Sequence, residues 1–423
     1  MPIIAIRGNV IITDELELKA YLAAMLRLEN AGLLLGAGAS VPCGGMTMAS
    51  VWDRFVDEFE VHANWLKAFG FVDNDATSTD NRKMPNMERL LDSLEVAVIE
   101  WDRQCVINGP NPIDIDEVVA AENLADLKDA RKSLYRLVVE AALLENSWWE
   151  SPAGVESDDV ALLNHRTILQ KLVSARQPAQ PSPWVFTTNY DLAIEWAAES
   201  IDLQVINGFL GTHSRRFSPH SFDMGFRNVQ ARGEARFGVF NIYLAKLHGS
   251  MAWCAQGGEI FEIPAVLARD EIQAFLEDDD IQDLGLMVMP RAAKYFDTVG
   301  YVLGEMFRRF AEFMAKPQAA LIVCGYSFGD EHINRLIRSA LLNPTLQVMI
   351  YFPGFDGNAT SQALPKALRK ILSLSNPRVT VVGGGNGAYV DALASQLPDP
   401  AIYDENLQRL TKALKDQLRE VAP

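Results

Sequence analysis

The chain has 423 residues, 49% apolar and 22% charged, which suits one large domain with insertions or two domains and excludes fibrous or disordered compositions. Its formal net charge of −17 sets the whole-molecule field against polyanions, so nucleic acid is not expected to bind directly. No basic segment followed by an apolar run opens the chain and no stretch approaches bilayer-spanning length, so a cytoplasmic protein with no membrane partner is expected.

The apolar run Leu33, Leu34, Leu35 ends at Gly36-Ala37-Gly38-Ala39-Ser40, and an amphipathic stretch over residues 46–59 follows, which reads strand, glycine turn, helix. From Met87 onward Leu90, Leu91, Leu94 and Val98 fall at helical spacing, as do Leu134, Leu137, Val138, Ala141 and Leu144, so a helical block fills residues 84–173. A polar loop over 73–83 and a proline-marked stretch over 177–183 border it, and the whole reads as an insertion over 61–175. Alternation then resumes with a strand at Trp184, Val185, Phe186, a helix over 190–200 and a strand over 203–206. Residues 207–241, rich in Gly, Phe and Arg, read as a solvated loop, with a lid or small module as the alternative. Five further apolar runs, over 241–247, 286–289, 320–324, 347–352 and 378–382, alternate with helical stretches over 301–314, 332–342 and 364–372. The expectation is an α/β fold: a doubly wound, parallel, Rossmann-like sheet over 1–60 and 176–400 with a large α-helical insertion, its ligands at the carboxyl ends of the strands. A last helix over 401–423, with Leu407, Leu410, Leu414 and Leu418 on one stripe, docks on its own domain or on a second subunit.

The polar clusters fall where such a sheet binds ligands. Gly36 and Gly38 let backbone N–H groups approach an oxyanion, although any tight strand-to-helix turn needs glycine as well. Thr187-Thr188-Asn189-Tyr190-Asp191 follows a strand; Asn189 can grip a ribose hydroxyl or a water and Asp191 can accept from a carboxamide, while a helix amino-terminal cap explains the same residues. Lys246-Leu247-His248-Gly249-Ser250 ends another strand and offers His248 as a general base beside open space, or as a hydrogen-bonded structural histidine. The run from Cys324 to Asp330 presents Gly325, Ser327 and Phe328, and Gly384 with Asn386 follows a later strand; both also suit plain turn chemistry. The four cysteines, Cys43, Cys105, Cys254 and Cys324, form no Cys-x-x-Cys pair, so the thiols read as free and neither zinc nor another metal is expected.

In this order GAGAS (36–40), TTNYD (187–191), LHG (247–249) and GYSF (325–328) resemble the sirtuin motifs. The resemblance implies that Gly36, Ala37, Gly38 and Ser40 hold a diphosphate, that Thr188, Asn189 and Asp191 face the nicotinamide end of NAD, that His248 is the base, and that Gly325, Ser327, Phe328, Gly384 and Asn386 border the adenosine side. It departs from the deacylating sirtuins at two places. Only Cys254 and Cys324 lie where those enzymes carry a four-cysteine zinc ribbon, and Val41-Pro42-Cys43-Gly44-Gly45 replaces their arginine-bearing segment. What remains resembles divergent bacterial sirtuin-like effectors of antiphage defence, which hydrolyse NAD, and in architecture the compact sirtuin-like subunit that assembles with a HerA-like ATPase. Asn189, His248 and Asp191 are then the catalytic residues of an NAD glycohydrolase that uses NAD as substrate, and regulation through homo-oligomers is expected. The alternatives are an NAD-dependent protein deacylase or ADP-ribosyl transferase and a non-catalytic NAD or ADP-ribose sensor.

Overall fold

A computed structural model describes residues 4–77, 83–108, 124–144, 162–177, 179–226, 241–278, 281 and 296–399. The expected strand over 286–289, the helix over 401–423, the side chain of Cys105, and Arg227, Arg232 and Arg236 of the arginine-rich segment lie outside the described residues.

In chain order the strands are β1 (Ile4–Arg7), β2 (Val10–Ile12), β3 (Asn30–Leu35), β4 (Trp184–Thr187), β5 (Gln204–Ile206), β6 (Phe209–Leu210), β7 (Arg215–Phe217), β8 (Asn241–Lys246), β9 (Trp253–Gln256), β10 (Glu259–Glu262), β11 (Ala319–Cys324), β12 (Gln347–Tyr351) and β13 (Val379–Gly383). Nine of them form one sheet in the order β2-β1-β13-β12-β11-β3-β4-β8-β5. From β13 to β5 every pairing is parallel, and β1 and β2 add an antiparallel hairpin at one edge. The doubly wound α/β architecture expected from the alternation is therefore present.

The apolar runs are long because both faces of the sheet are covered. Along β3, Leu33 and Leu35 enter the core on one face and Leu34 the core on the other; along β11, Ile322 and Cys324 face one way and Leu321 and Val323 the opposite way. Gly32 interrupts β3 for a packing reason: a Cβ there would lie 2.5 Å from Cζ of Phe313, which the helix Phe296–Ala315 presses onto the strand.

Helices start where the chain supplies a cap. Asp14 accepts the amide of Leu16 at the head of the helix Glu15–Leu26, and Thr47 that of Ser50 at the head of Met48–Glu58. The helices Met48–Glu58, Glu60–Ala68, Met87–Asn108 and Leu124–Leu143 pack on one another, and the buried ion pair Glu95–Arg131, 2.7 Å, ties the last two together. The helix Leu163–Ser174 packs instead on Ala193–Glu199 and Val390–Gln396, which flank the sheet.

Residues 207–226 correct the reading of a solvated loop. They supply β6 and β7 to a four-stranded antiparallel sheet, β6-β7-β10-β9. Phe209, Phe222 and Trp253 anchor this small sheet in the core, Phe209 and Trp253 with ring centroids 5.1 Å apart.

Candidate active site

The order of the strands reverses at β3. The chain steps outward from β3 to β4 and beyond, then returns to place β11 on the other side of β3 and steps outward again to β12 and β13. The loops after β3 and β11 therefore flank the crevice where doubly wound sheets take their ligands.

These two loops dovetail. Gly36 donates its N–H to the carbonyl of Cys324 and Gly38 donates to that of Gly325, each at 3.0 Å. A Cβ on Gly36 would meet the Gly325 oxygen at 2.5 Å, and one on Gly325, whose φ is +69°, would meet the Ala39 nitrogen at 2.3 Å. Close backbone approach thus accounts for all three glycines, and two of the N–H groups expected to face phosphate are spent between the loops.

The loop after β4 is clamped to β3. Thr187 Oγ1 and the Thr188 N–H both donate to the carbonyl of Leu35, at 2.9 and 3.1 Å, and Thr187 Oγ1 accepts the N–H of Asn189 at 3.0 Å. Asp191 divides its carboxylate: Oδ1 accepts the N–H of Ala193 at the start of the following helix and Oδ2 accepts the Ser40 hydroxyl at 2.7 Å. Because the single Ser40 proton goes to Asp191, the Ser40 oxygen accepts from Asn189 Nδ2 at 2.8 Å. Asn189 Nδ2 also donates to the Gly36 carbonyl at 3.1 Å, which fixes the amide orientation. Asn189 Oδ1 is left buried with no hydrogen-bond partner among the described residues. The helix-cap reading therefore fits Asp191 in part and does not fit Asn189.

Behind this loop, Lys246 is buried and donates to the carbonyls of Asp191 and Tyr190, to Ser250 Oγ at 3.1 Å and to Glu195 Oε1 at 2.9 Å. Burial pushes the Glu195 carboxyl above its ordinary value, against the pull of Lys246. His165, from the helix Leu163–Ser174, lies buried with Nδ1 3.6 Å from Cys43 Sγ; desolvation lowers its pKa, against the pull of Asp191.

His248 lies on the adjoining strand end. Thr187 of β4 pairs with Lys246 of β8, so Asn189 and His248 each stand two residues beyond a matched pair. His248 Nε2 is 2.9 Å from Asp330 Oδ2, with side-chain exposures of 11% and 10%, and Phe307 lies alongside with ring centroids 6.5 Å apart.

Of the other expected residues, Ser327 is exposed and accepts the N–H of Gly329. The side chain of Phe328 is 4% exposed and packs on Tyr326 and Phe352. Gly384, in left-handed conformation, and the exposed Asn386 stand at the end of β13, separated from β3 in the sheet by β11 and β12. Asp330, Lys246, Glu195 and His165 carry no role in the sequence reading. Asp330 and Lys246 lie within quoted motifs, but their partners sit on other strands and loops.

No curated protein matches the chain. Residues 183–370 match the SIR2-like domain family, a segment that begins at β4, holds Asn189, Asp191, His248, Gly325 and Asp330, and leaves out the glycine turn after β3 and the Gly384 loop. Residues 183–370 are thus similar to a SIR2-like domain and lie on a Rossmann-like sheet, which supports a sirtuin-like protein with an NAD-related activity.

Proposed function

We propose that the protein hydrolyses NAD to nicotinamide and ADP-ribose, as an NAD-depleting effector of antiphage defence. The observation that carries this reading is the amide of Asn189. Its nitrogen is tied to Ser40 and Gly36, and its oxygen is a buried acceptor without a partner among the described residues, next to the strand end that bears His248. The residues fit NAD on that ground, since a ribose hydroxyl or an attacking water supplies the missing donor.

When bound, NAD supplies a cationic nicotinamide that leaves as a neutral base. Asn189 Oδ1 holds the ribose hydroxyl or the water, Ser40 and Asp191 keep the amide from turning, and His248 takes a proton, a contribution typically worth about 10²–10⁴-fold in rate. Lys246 holds the Tyr190 and Asp191 carbonyls and so keeps the loop in place. Gly36, Ala37, Gly38 and Ser40 would shape the diphosphate edge, with the Gly36 and Gly38 amides already bonded to the Cys324 and Gly325 carbonyls. Gly325 and Ser327 would shape the adenosine side, and Gly384 with Asn386 its far border.

Release of nicotinamide by the purified protein, measured beside Asn189→Ala and His248→Ala, tests the proposal. Each substitution is expected to lower the rate by about 10²–10⁴-fold; variants that hydrolyse NAD as fast as the parent sink the assignment. Control of such an activity calls for assembly, and we assign it to the insertion over 61–175 and the helix over 401–423, with a homo-oligomer and a HerA-like ATPase as partners in the cytoplasm. A mass in dilute solution equal to one chain, with and without that ATPase, counts against it. No helix among the described residues is long and apolar enough to cross a membrane.

A further inference from the structure

The loop after β11, from Gly325 to Asp330, carries the two residues assigned to the adenosine side of NAD, Gly325 and Ser327, and it turns at an unusual place. Phe328 takes a left-handed conformation, φ +61°, which is costly for a bulky side chain and which glycine or asparagine ordinarily supplies. A phenylalanine stays there only where its surroundings hold the chain. Part of that hold is the ring itself, 4% exposed and packed on Tyr326, with ring centroids 4.9 Å apart, and on Phe352, at 6.1 Å. The rest comes from outside the loop.

Asn334 lies near the start of the helix Glu331–Ala340, and its amide reaches back to the loop that leads into that helix. Nδ2 donates to the Phe328 carbonyl at 2.8 Å. Oδ1 accepts the Tyr326 hydroxyl at 3.0 Å, and the same hydroxyl reaches the Asp330 carbonyl at 3.1 Å. One side chain thus fixes the loop on both sides of Ser327. The turn at Phe328 brings the Gly329 N–H to Ser327 Oγ at 3.3 Å, so the hydroxyl oxygen accepts from its own loop. Ser327 is exposed, and its hydroxyl proton goes to no acceptor among the described residues.

We propose that Asn334 is a positioning residue of the NAD site: by bridging Tyr326 and Phe328 it holds the left-handed turn and so presents the Ser327 hydroxyl, as a donor, to the adenosine ribose. This role rests on the hydrolase reading above. The ribose supplies the acceptor, since its hydroxyl oxygens carry lone pairs and the Ser327 oxygen is already turned toward Gly329. The side chain of Asp330 does not depend on the bridge. Its Oδ1 accepts the N–H groups of His332, at 2.6 Å, and of Ile333, at 3.3 Å, so the head of its own helix seats it. Loss of the bridge therefore weakens binding and spares the chemical step.

Asn334→Ala removes both bonds without adding a charge, and Asn334→Leu removes them while keeping most of the volume. In calorimetry of the full chain with ADP-ribose as the probe, each variant is expected to bind about 3–10-fold more weakly than the parent, with KM for NAD raised by a similar factor and kcat within about twofold. Ser327→Ala is expected to weaken binding to a similar extent. The double variant decides the route: a residue that acts through Ser327 adds nothing in a Ser327→Ala background, whereas a merely structural residue weakens both backgrounds alike. Hydrogen exchange followed by mass spectrometry reads the turn itself, and residues 325–330 are expected to exchange faster in Asn334→Ala than in the parent. Parental affinity for ADP-ribose in both Asn334 variants, additive losses in the double variant, or parental exchange over 325–330 overturns the proposal. If the parent neither binds ADP-ribose nor hydrolyses NAD, the function proposed above fails and the role at the ribose falls with it, while the exchange rates still decide whether Asn334 holds the turn.

Discussion

Two buried ion pairs, one in the helical block and one under the site, show how the same chemistry serves different ends. Arg131 and Glu95, 2.7 Å apart, join the helices Leu124–Leu143 and Met87–Asn108. Lys246 and Glu195, 2.9 Å apart, join β8 to the helix Ala193–Glu199, but the ammonium also reaches the Tyr190 and Asp191 carbonyls and the Ser250 hydroxyl. The first pair fixes the packing of two helices. The second fixes the backbone that presents Asn189. A buried pair is weak evidence for stability in either place, because desolvation offsets much of the attraction, so the difference must be sought in what each cation holds besides its carboxylate.

The largest effect is expected from Lys246→Met, which leaves Glu195 unpaired and frees the two carbonyls: a loss of about 3–5 kcal/mol in denaturant unfolding together with loss of NAD hydrolysis. Arg131→Met is expected to cost a similar amount of stability, about 3–5 kcal/mol, yet to retain parental kcat at a temperature where it is folded. Loss of kcat in folded Arg131→Met would break the comparison. Replacing both partners, Glu95→Leu with Arg131→Met, sharpens it: part of the lost stability is expected to return relative to Arg131→Met alone, since Glu95 is no longer a buried carboxylate facing an apolar side chain. Next comes Ser40→Ala, which removes the donor to Asp191 and the acceptor of Asn189 Nδ2; about 1–3 kcal/mol of stability should go, and kcat should fall because the amide is no longer held.

The smallest effect is a pH dependence. Burial pushes the Glu262 carboxyl up to about 7, against the pull of Arg215. Its folded-state value lies above the unfolded one, so the folded state holds the proton more tightly. The contribution is fully present below the unfolded value of 4.5 and is lost as pH rises through 7. Glu262→Gln is therefore expected to raise the thermal midpoint at pH 8 and leave it nearly unchanged at pH 5. Equal shifts at both pH values would show that the carboxylate is solvated in the folded protein.

The parallel strands were legible because they are buried on both faces: β3, β4, β8 and β11 read as short apolar runs without any partner in view. The small sheet was not legible. Its strands have two to four residues each and carry Arg215, Arg216, Glu259 and Glu262, which look solvated until β7 and β10 are paired and Arg215 stands opposite Glu262. The helix Glu15–Leu26 escaped although the buried Leu18, Leu22, Met25 and Leu26 fall at helical spacing, because apolar residues off that stripe, such as the exposed Leu16, blur it. At the site, local motifs revealed Asn189, Asp191 and His248. They could not reveal Asp330, since its contact with His248 depends on β11 returning to the far side of β3.

The dovetail between Gly36, Gly38 and Gly325 also sets the order in which the site can come into being. β3 leaves the ribosome before β11, and its glycine turn has nothing to close against until β11 has been made, after the helical block, β4, β8 and the small sheet. Contacts between such distant parts of a chain form late and slowly. A nascent or truncated chain that ends before β11 holds Ser40, Asn189 and His248 but neither the loop that seats Gly36 nor the carboxylate that seats His248. The edge is thus completed only once β11 has been made, and a fragment that ends before it lacks both contacts.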